Sequence, residues 1–234
     1  MQKIAVVTGG SAGIGEASAR ALAGDGWKVY VAARRLERCE EIAKDIGGVA
    51  VELDVTDQES VDKLAAELER VDLLVNNAGG ARGLDYLREA REEDWRWMYE
   101  TNVFGTVRVT KALYPALLEA SGLVINIGSV AGTDAYKGGS GYNAAKYGLR
   151  GLTRALRREE ADNLIRVTEI DPGRVETDFS FNRFGDREKA DAVYEGKLNL
   201  AAEDIAETVR WVASLPAHVN VDTLSIMPLD QAER

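Results

Sequence analysis

Short apolar runs recur along the chain at residues 4–8, 28–33, 49–53, 73–76, 123–127, 165–170 and 224–227. Most are rich in Val, Ile and Leu without apolar/polar alternation, the pattern of strands covered on both faces. Between them, apolar positions return every three to four residues and predict helices over 14–24, 36–46, 57–70, 92–119, 142–161 and 203–214. Asp57-Gln58-Glu59 and Glu203-Asp204 place acids in first turns, where the helix dipole favours them. Strands alternating with helices at this spacing imply an α/β protein with a doubly wound parallel sheet and right-handed crossovers. One stretch, 178–202, lacks clear periodicity, and Asp186, Arg187, Glu188 and Lys189 mark it as an exposed insertion. Ligands of such sheets bind outside the carboxyl ends of the strands, so those ends are where chemistry is sought.

Composition narrows the classes. In 234 residues, 45% are hydrophobic and 29% charged, enough to fill a core and too much for a disordered chain. The net charge of −10 opposes nucleic acid or an anionic membrane as the main partner, so an anionic ligand needs a local cluster of donors. The single Cys39 cannot form an internal disulfide, and the single His218 gives no metal-ligand cluster. Strand-like residues begin at Lys3, with no charged leader ahead of an apolar stretch, and no run has the length of a membrane span. A soluble, cytoplasmic protein without a metal is the expectation.

After the first apolar run comes Thr8-Gly9-Gly10-Ser11-Ala12-Gly13-Ile14-Gly15, then a helical pattern. Its spacing is G-x-x-x-G-x-G. Gly9 permits a tight turn, Gly13 lets backbone approach a pyrophosphate, and Gly15 lets helix pack on strand. The alternative is an ordinary glycine-rich turn. The second run ends in Ala33-Arg34-Arg35, where an NAD site would carry an acid. Two cations opening a helix oppose its dipole, whereas a ribose 2′-phosphate would pair with Arg34 and Arg35, pointing to NADP(H). Asp54, at the end of the third run, suits either an adenine contact or a helix cap.

Tyr142-Asn143-Ala144-Ala145-Lys146 puts a phenol and an ammonium one helical turn apart on one face. A free phenol titrates near 10, too high for acid–base work at neutral pH. A lysine charge ~4 Å away, at an effective dielectric near 20, is worth ~4 kcal/mol and is expected to bring the phenol down. Ser129, just past the fifth run, can donate a hydrogen bond to a carbonyl lying between itself and Tyr142. An exposed helix pair is the alternative for the Tyr/Lys spacing alone.

Together with Asn76-Asn77-Ala78-Gly79, Asn102 and Pro172-Gly173 followed by Thr177, these motifs resemble the short-chain dehydrogenase/reductase family over essentially the whole chain. The resemblance implies a Rossmann-type, seven-stranded sheet in a single domain spanning 1–234. It implies a catalytic tetrad: Tyr142 exchanging the substrate hydroxyl proton, Ser129 orienting substrate, Lys146 binding the nicotinamide ribose and biasing Tyr142, and Asn102 holding a relay water. The implied cofactor site comprises Thr8, Gly9, Ser11, Gly13, Ile14, Gly15, Arg34, Arg35, Asp54, Val55, Asn77, Ala78, Gly79, Pro172, Gly173, Val175 and Thr177, with Tyr142 and Lys146. As plain structure, Asn102 would be a buried amide and Pro172-Gly173 a turn.

The last third is similar to a narrower group, the NADP-dependent 3-hydroxy acid (serine/allo-threonine) dehydrogenases. The shared features are Ile170-Asp171-Pro172-Gly173, the stretch Phe179-Ser180-Phe181-Asn182-Arg183-Phe184, and Leu215-Pro216-Ala217-His218-Val219-Asn220-Val221 with Ile226-Met227-Pro228. That resemblance implies a small hydroxy acid or semialdehyde substrate gripped by Ser129, Tyr142 and Arg183. A salt bridge from Arg183 to Asp178 or Asp186 is the alternative for that arginine, and Arg174 and Glu176 add charge nearby. A general aldehyde/ketone reductase and a non-catalytic NADP(H) sensor are the competing functions. Small residues on the helix around Ala144, Ala145, Gly148 and Gly151 point to a homo-oligomer, dimer or tetramer.

Overall fold

A computed structural model describes residues 2–231. Seven strands, β1 (Ile4–Thr8), β2 (Lys28–Ala33), β3 (Val49–Glu52), β4 (Leu73–Asn76), β5 (Leu123–Ile127), β6 (Arg166–Pro172) and β7 (Thr223–Ile226), form one sheet. Their order is β3-β2-β1-β4-β5-β6-β7, and every pair is parallel. Apolar residues of alternating strand positions divide between two cores, one on each face. Val7, Val31, Val75 and Ile125 lie on one side and Val6, Ala32, Leu74 and Val124 on the other. This two-sided burial is why the strand sequences do not alternate.

The helices are α1 (Gly13–Gly24), α2 (Leu36–Ile46), α3 (Gln58–Ala66), α4 (Glu92–Tyr99), α5 (Gly105–Ala120), α6 (Ser140–Glu159), α7 (Phe179–Phe184), α8 (Arg187–Tyr194) and α9 (Ala202–Ser214). None among the described residues is long and apolar enough to cross a membrane. The helix expected over 57–70 stops at Ala66, because the chain turns to give the Val71 N–H to the Ala116 carbonyl at 2.9 Å. The helix expected over 92–119 is split into α4 and α5 by a π turn, Glu100–Phe104. There the Asn102 side chain donates to the Met98 carbonyl at 2.7 Å, an acceptor that α-helical geometry pairs with the Asn102 backbone. The aperiodic 178–202 stretch holds the short helices α7 and α8, and its end is tied back by a parallel bridge between Val175 and Leu200.

Strand order reverses between β1 and its two neighbours, β2 and β4, opening the crevice where ligands of such sheets bind. The glycine turn, Asn77–Gly79, Ser129 and Pro172-Gly173 follow the carboxyl ends of β1, β4, β5 and β6, so all face this edge.

Candidate active site

The glycine turn is built from positions that exclude side chains. Gly9 (φ +64°) and Gly13 (φ +53°) take left-handed backbone, and a Cβ at Gly15 would overlap the Gly9 carbonyl. Buried Thr8 links the turn to β4: its hydroxyl accepts the Asn77 and Ala78 N–H groups, both at 3.0 Å. Asn77 returns its amide to the Thr8 carbonyl at 3.0 Å. Thr177 lies against Gly13, 3.3 Å from where a Cβ would stand, so the segment after β6 covers the turn. Ile14 packs against the core, Val55 is buried beside Gly105, and Val175 is buried next to the Thr177 segment.

Arg34 and Arg35 are exposed at the start of α2. Arg35 folds over the turn, its guanidinium donating to the Ser11 hydroxyl at 3.0 Å and the Ser11 carbonyl at 3.2 Å. Among the described residues Arg34 makes no side-chain hydrogen bond or ion pair, which leaves its fork available to an anion. Asp54 is not a helix cap: it closes its own turn by accepting from the Thr56 N–H at 2.9 Å and hydroxyl at 2.7 Å. Asp57 is the residue that caps α3. A glycine cradle at a helix N-terminus with an unpaired guanidinium beyond it fits a phosphorylated dinucleotide.

Ser129, Tyr142 and Lys146 converge at the end of β5. Ser129 accepts the Ala131 N–H at 3.1 Å, and its own N–H donates to Asp171 Oδ1 at 3.0 Å. Tyr142 is buried, its ring 5.5 Å from that of Phe179. Lys146 Nζ donates to the Ile127 carbonyl at 2.9 Å and lies 5.8 Å from the centroid of the Tyr142 ring. The electrostatics differ from the expectation. Burial drives the Tyr142 phenol above its ordinary value, with hydrogen bonding to Ser129 and the Arg183 charge pulling the other way. Burial likewise brings the Lys146 ammonium down to about 8, opposed by the charges of Asp171 and Glu169. At Tyr142 desolvation outweighs the Ser129 hydrogen bond and the Arg183 charge, so the phenol is held as the neutral acid.

Asn102 sits behind Gly79 and Gly80, its side-chain amide donating to the Gly80 carbonyl at 2.8 Å and its oxygen accepting the Gly80 N–H at 3.2 Å. It is a buried, satisfied amide that joins the π turn to the loop after β4. Pro172 ends β6, and Gly173 packs against the Met227–Pro228 segment.

Arg183 pairs with neither Asp178 nor Asp186. Its Nε donates to the Gly83 carbonyl at 2.6 Å and its Nη1 to the Tyr136 hydroxyl at 2.8 Å. Its guanidinium stands 5.8 Å from the Tyr142 ring, in a cleft also lined by Arg82, Arg91, Trp95 and Met98. Arg174 and Glu176 are drawn away to Asn199, and Arg174 also to Asp230. His218 is exposed, far from this edge in the segment after α9. Sequence reasoning missed Glu169, Arg150 and Tyr136. A polar i, i+2 pair in a strand reads as a solvated face until the covering helix is placed.

The family model described as short chain dehydrogenase matches residues 3–188. An uncharacterized oxidoreductase of Mycobacterium tuberculosis is 52% identical over 233 residues, covering 99% of this chain and 93% of the relative. The NADP-dependent 3-hydroxy acid dehydrogenase YdfG of Salmonella typhi is 42% identical, with 98% and 96% covered. The serine 3-dehydrogenase of Rhizobium radiobacter is 39% identical, with 97% and 94% covered. A closed serine dehydrogenase solved in complex with NADP+ superposes at a TM-score of 0.95, 40% identical, covering 98% of this chain and 96% of that one. With fold, motif order and relatives in agreement over nearly its full length, the chain belongs to the short-chain dehydrogenase family of oxidoreductases.

Proposed function

We propose that the protein is an NADP(H)-dependent dehydrogenase exchanging a hydride with a small 3-hydroxy acid or its semialdehyde. The observation that carries this reading is the position of Arg183: an arginine fork 5.8 Å from the Tyr142 ring, held by one carbonyl and one hydroxyl, with no carboxylate paired to it. A substrate carboxylate is the charge partner that such a fork fits.

The nicotinamide dinucleotide, when bound, supplies or accepts the hydride. The Gly9–Gly15 turn would cradle its pyrophosphate and Arg34 its 2′-phosphate, with Arg35 stacked over the turn. Asn77, Ala78, Gly79, Pro172, Gly173, Val175 and Thr177 would line the remaining length. In the reductive direction the neutral Tyr142 phenol donates its proton to the carbonyl oxygen while the Ser129 hydroxyl orients that oxygen. In the oxidative direction Tyr142 must first give its own proton to solvent; the resulting phenolate, stabilised by the Lys146 ammonium, then takes the proton of the substrate hydroxyl. Asn102 holds the loop that carries Gly79, and through it the relay position. We further infer a cytoplasmic homo-oligomer; of the small residues expected on its contact face, Gly151 is open to solvent, whereas Ala145 is buried in the core and Gly148 lies against Val103 and Tyr99.

The test is reduction of NADP+ by purified protein with L-serine, D-serine, allo-threonine, 3-hydroxypropionate, 3-hydroxyisobutyrate and neutral alcohols. Turnover confined to the hydroxy acids supports the reading, and turnover of neutral alcohols alone returns the protein to general carbonyl chemistry. Tyr142→Phe is expected to lose at least about a hundredfold in kcat with NADPH affinity near normal. Retained turnover in that variant would remove Tyr142 from the mechanism.

A further inference from the structure

Beneath Ser129 and Lys146 lie two buried carboxyl groups that the mechanism above does not use. Glu169 and Asp171 stand at i, i+2 on β6, on the face covered by α6, and are 1% and 0% exposed. Asp171 is fully engaged: Oδ1 accepts the Ser129 N–H at 3.0 Å and Oδ2 accepts Arg150 Nη1 at 2.8 Å. Glu169 is not. Its Oε2 lies 4.0 Å from the same Arg150 nitrogen, and neither of its oxygens has a hydrogen-bond partner among the described residues. Gly128 is pressed against both, since a Cβ there would overlap Asp171 Oδ1 and come within 3.0 Å of Glu169 Oε1.

The groups facing this pair are few. α6 presents Lys146, Arg150 and Arg154; β5 and its end present Asn126 and Ser129; β7 places the neutral Thr223 and Ser225 alongside in register. Two ionised carboxylates at contact in a dry site repel each other strongly, while one carboxylic acid beside one carboxylate forms a short, favourable hydrogen bond. A proton on Glu169 therefore gives one of its two orphaned oxygens a partner, by making it a donor toward Asp171.

We propose that Glu169 and Asp171 share one proton and act as a positioning pair for the reaction, Asp171 fixing the Ser129 backbone and countering the Lys146 ammonium while Glu169 holds Asp171 in place. The roles of Ser129 and Lys146 here rest on the function proposed above. Burial, followed by the neighbouring Asp171 charge, raises Glu169 to about 7, in keeping with its being the protonated member.

Two independent readouts test the pair. The first is thermal unfolding of wild type and Glu169→Gln between pH 5 and pH 8. A carboxyl raised in the folded state contributes stability at low pH that is lost as pH rises through about 7, and glutamine, which keeps a donor but cannot ionise, escapes that loss. The Tm of Glu169→Gln should therefore gain on wild type by about 5 °C or more across the window. A constant difference overturns the shared proton.

The second readout is the pH profile of kcat on any alcohol that wild type turns over. Asp171→Asn, whose amide cannot accept from both Ser129 and Arg150, should lose about tenfold in kcat with NADPH affinity kept within about twofold. Its alkaline limb should fall by about 1 unit, because the Lys146 ammonium loses an opposing charge. Glu169→Gln should retain several-fold more kcat than Glu169→Ala. An unshifted limb in Asp171→Asn, with Tyr142→Phe inactive, overturns the positioning role while leaving the enzyme reading intact. If Asp171→Asn does not fold, equal losses in Glu169→Gln and Glu169→Ala overturn it instead. An active Tyr142→Phe sinks the enzyme reading, and the unfolding comparison still judges the shared proton.

Discussion

Tyr142 and Lys146 show how far spacing carries an argument about a residue. The i, i+4 relation correctly puts both on the inner face of α6, and both are buried there. Spacing carries no information on how much water the fold removes around them, and desolvation is the larger effect on each. The Lys146 ammonium, brought down to about 8 by burial, is opposed in that shift chiefly by the charge of Asp171, then by that of Glu169, on the strand beneath it. Neither acid is distinguishable in sequence from a surface residue of a strand. Arg34 is the converse case, a charge that stands out in the sequence because its position opposes a helix dipole. Arg34→Ala is expected to weaken NADPH by at least about tenfold, the worth of a charge-assisted hydrogen bond, while NADH affinity stays within about twofold. Fluorescence titration with the two dinucleotides measures both. Equal losses would take the phosphate away from Arg34.

At the scale of elements, the strands were legible almost to the residue because most are apolar on both faces and bounded by turns. The breaks within helical stretches were not. The π turn at Glu100–Phe104 depends on Asn102 reaching Gly80, a partner 22 residues away. α7 is a further case: its six residues show too little periodicity to read, and its position is fixed by Arg183 reaching Gly83 and Tyr136, 100 and 47 residues distant. The same anchoring presents the guanidinium toward Tyr142. Arg183→Met, which keeps the length of the side chain, should raise KM for hydroxy acids about tenfold or more and leave KM for neutral aldehydes within about threefold. Steady-state kinetics on matched charged and neutral substrates decides it. An equal rise for both would make Arg183 a strut for α7.

For the molecule as a whole, the net charge of −10 means that the phosphate binding proposed at the α1 and α2 N-termini would be local, set against an acidic surface. Ligand present at ~100 times its Kd adds ~2.7 kcal/mol to the folded state. For a chain of this size that amounts to a rise in Tm of about 5–10 °C, and NADPH should produce it at concentrations where NADH gives no more than about 2 °C. Differential scanning fluorimetry reads both, and equal shifts would mean that the cluster at Arg34 and Arg35 does not discriminate. The doubly wound parallel sheet and the edge where the motifs gather followed from alternation and crossover rules applied to the chain; the strand order did not. The cover over that edge did not, because it is held by single long-range contacts and carries no period.

Within that cover, Arg183 and Gly83 pair reciprocally. The Arg183 guanidinium donates to the Gly83 carbonyl at 2.6 Å, and the Gly83 N–H donates to the Arg183 carbonyl at 3.2 Å. This two-bond seam joins the segment after β6 to the loop after β4 across the mouth of the cleft, closing a ring around whatever lies inside. If substrate and product pass between these two segments, they pass while the seam is parted. However fast the proposed chemistry at Tyr142, the frequency with which that ring opens would then be a ceiling on turnover, and its dwell time shut the interval in which water is kept from the reacting carbon.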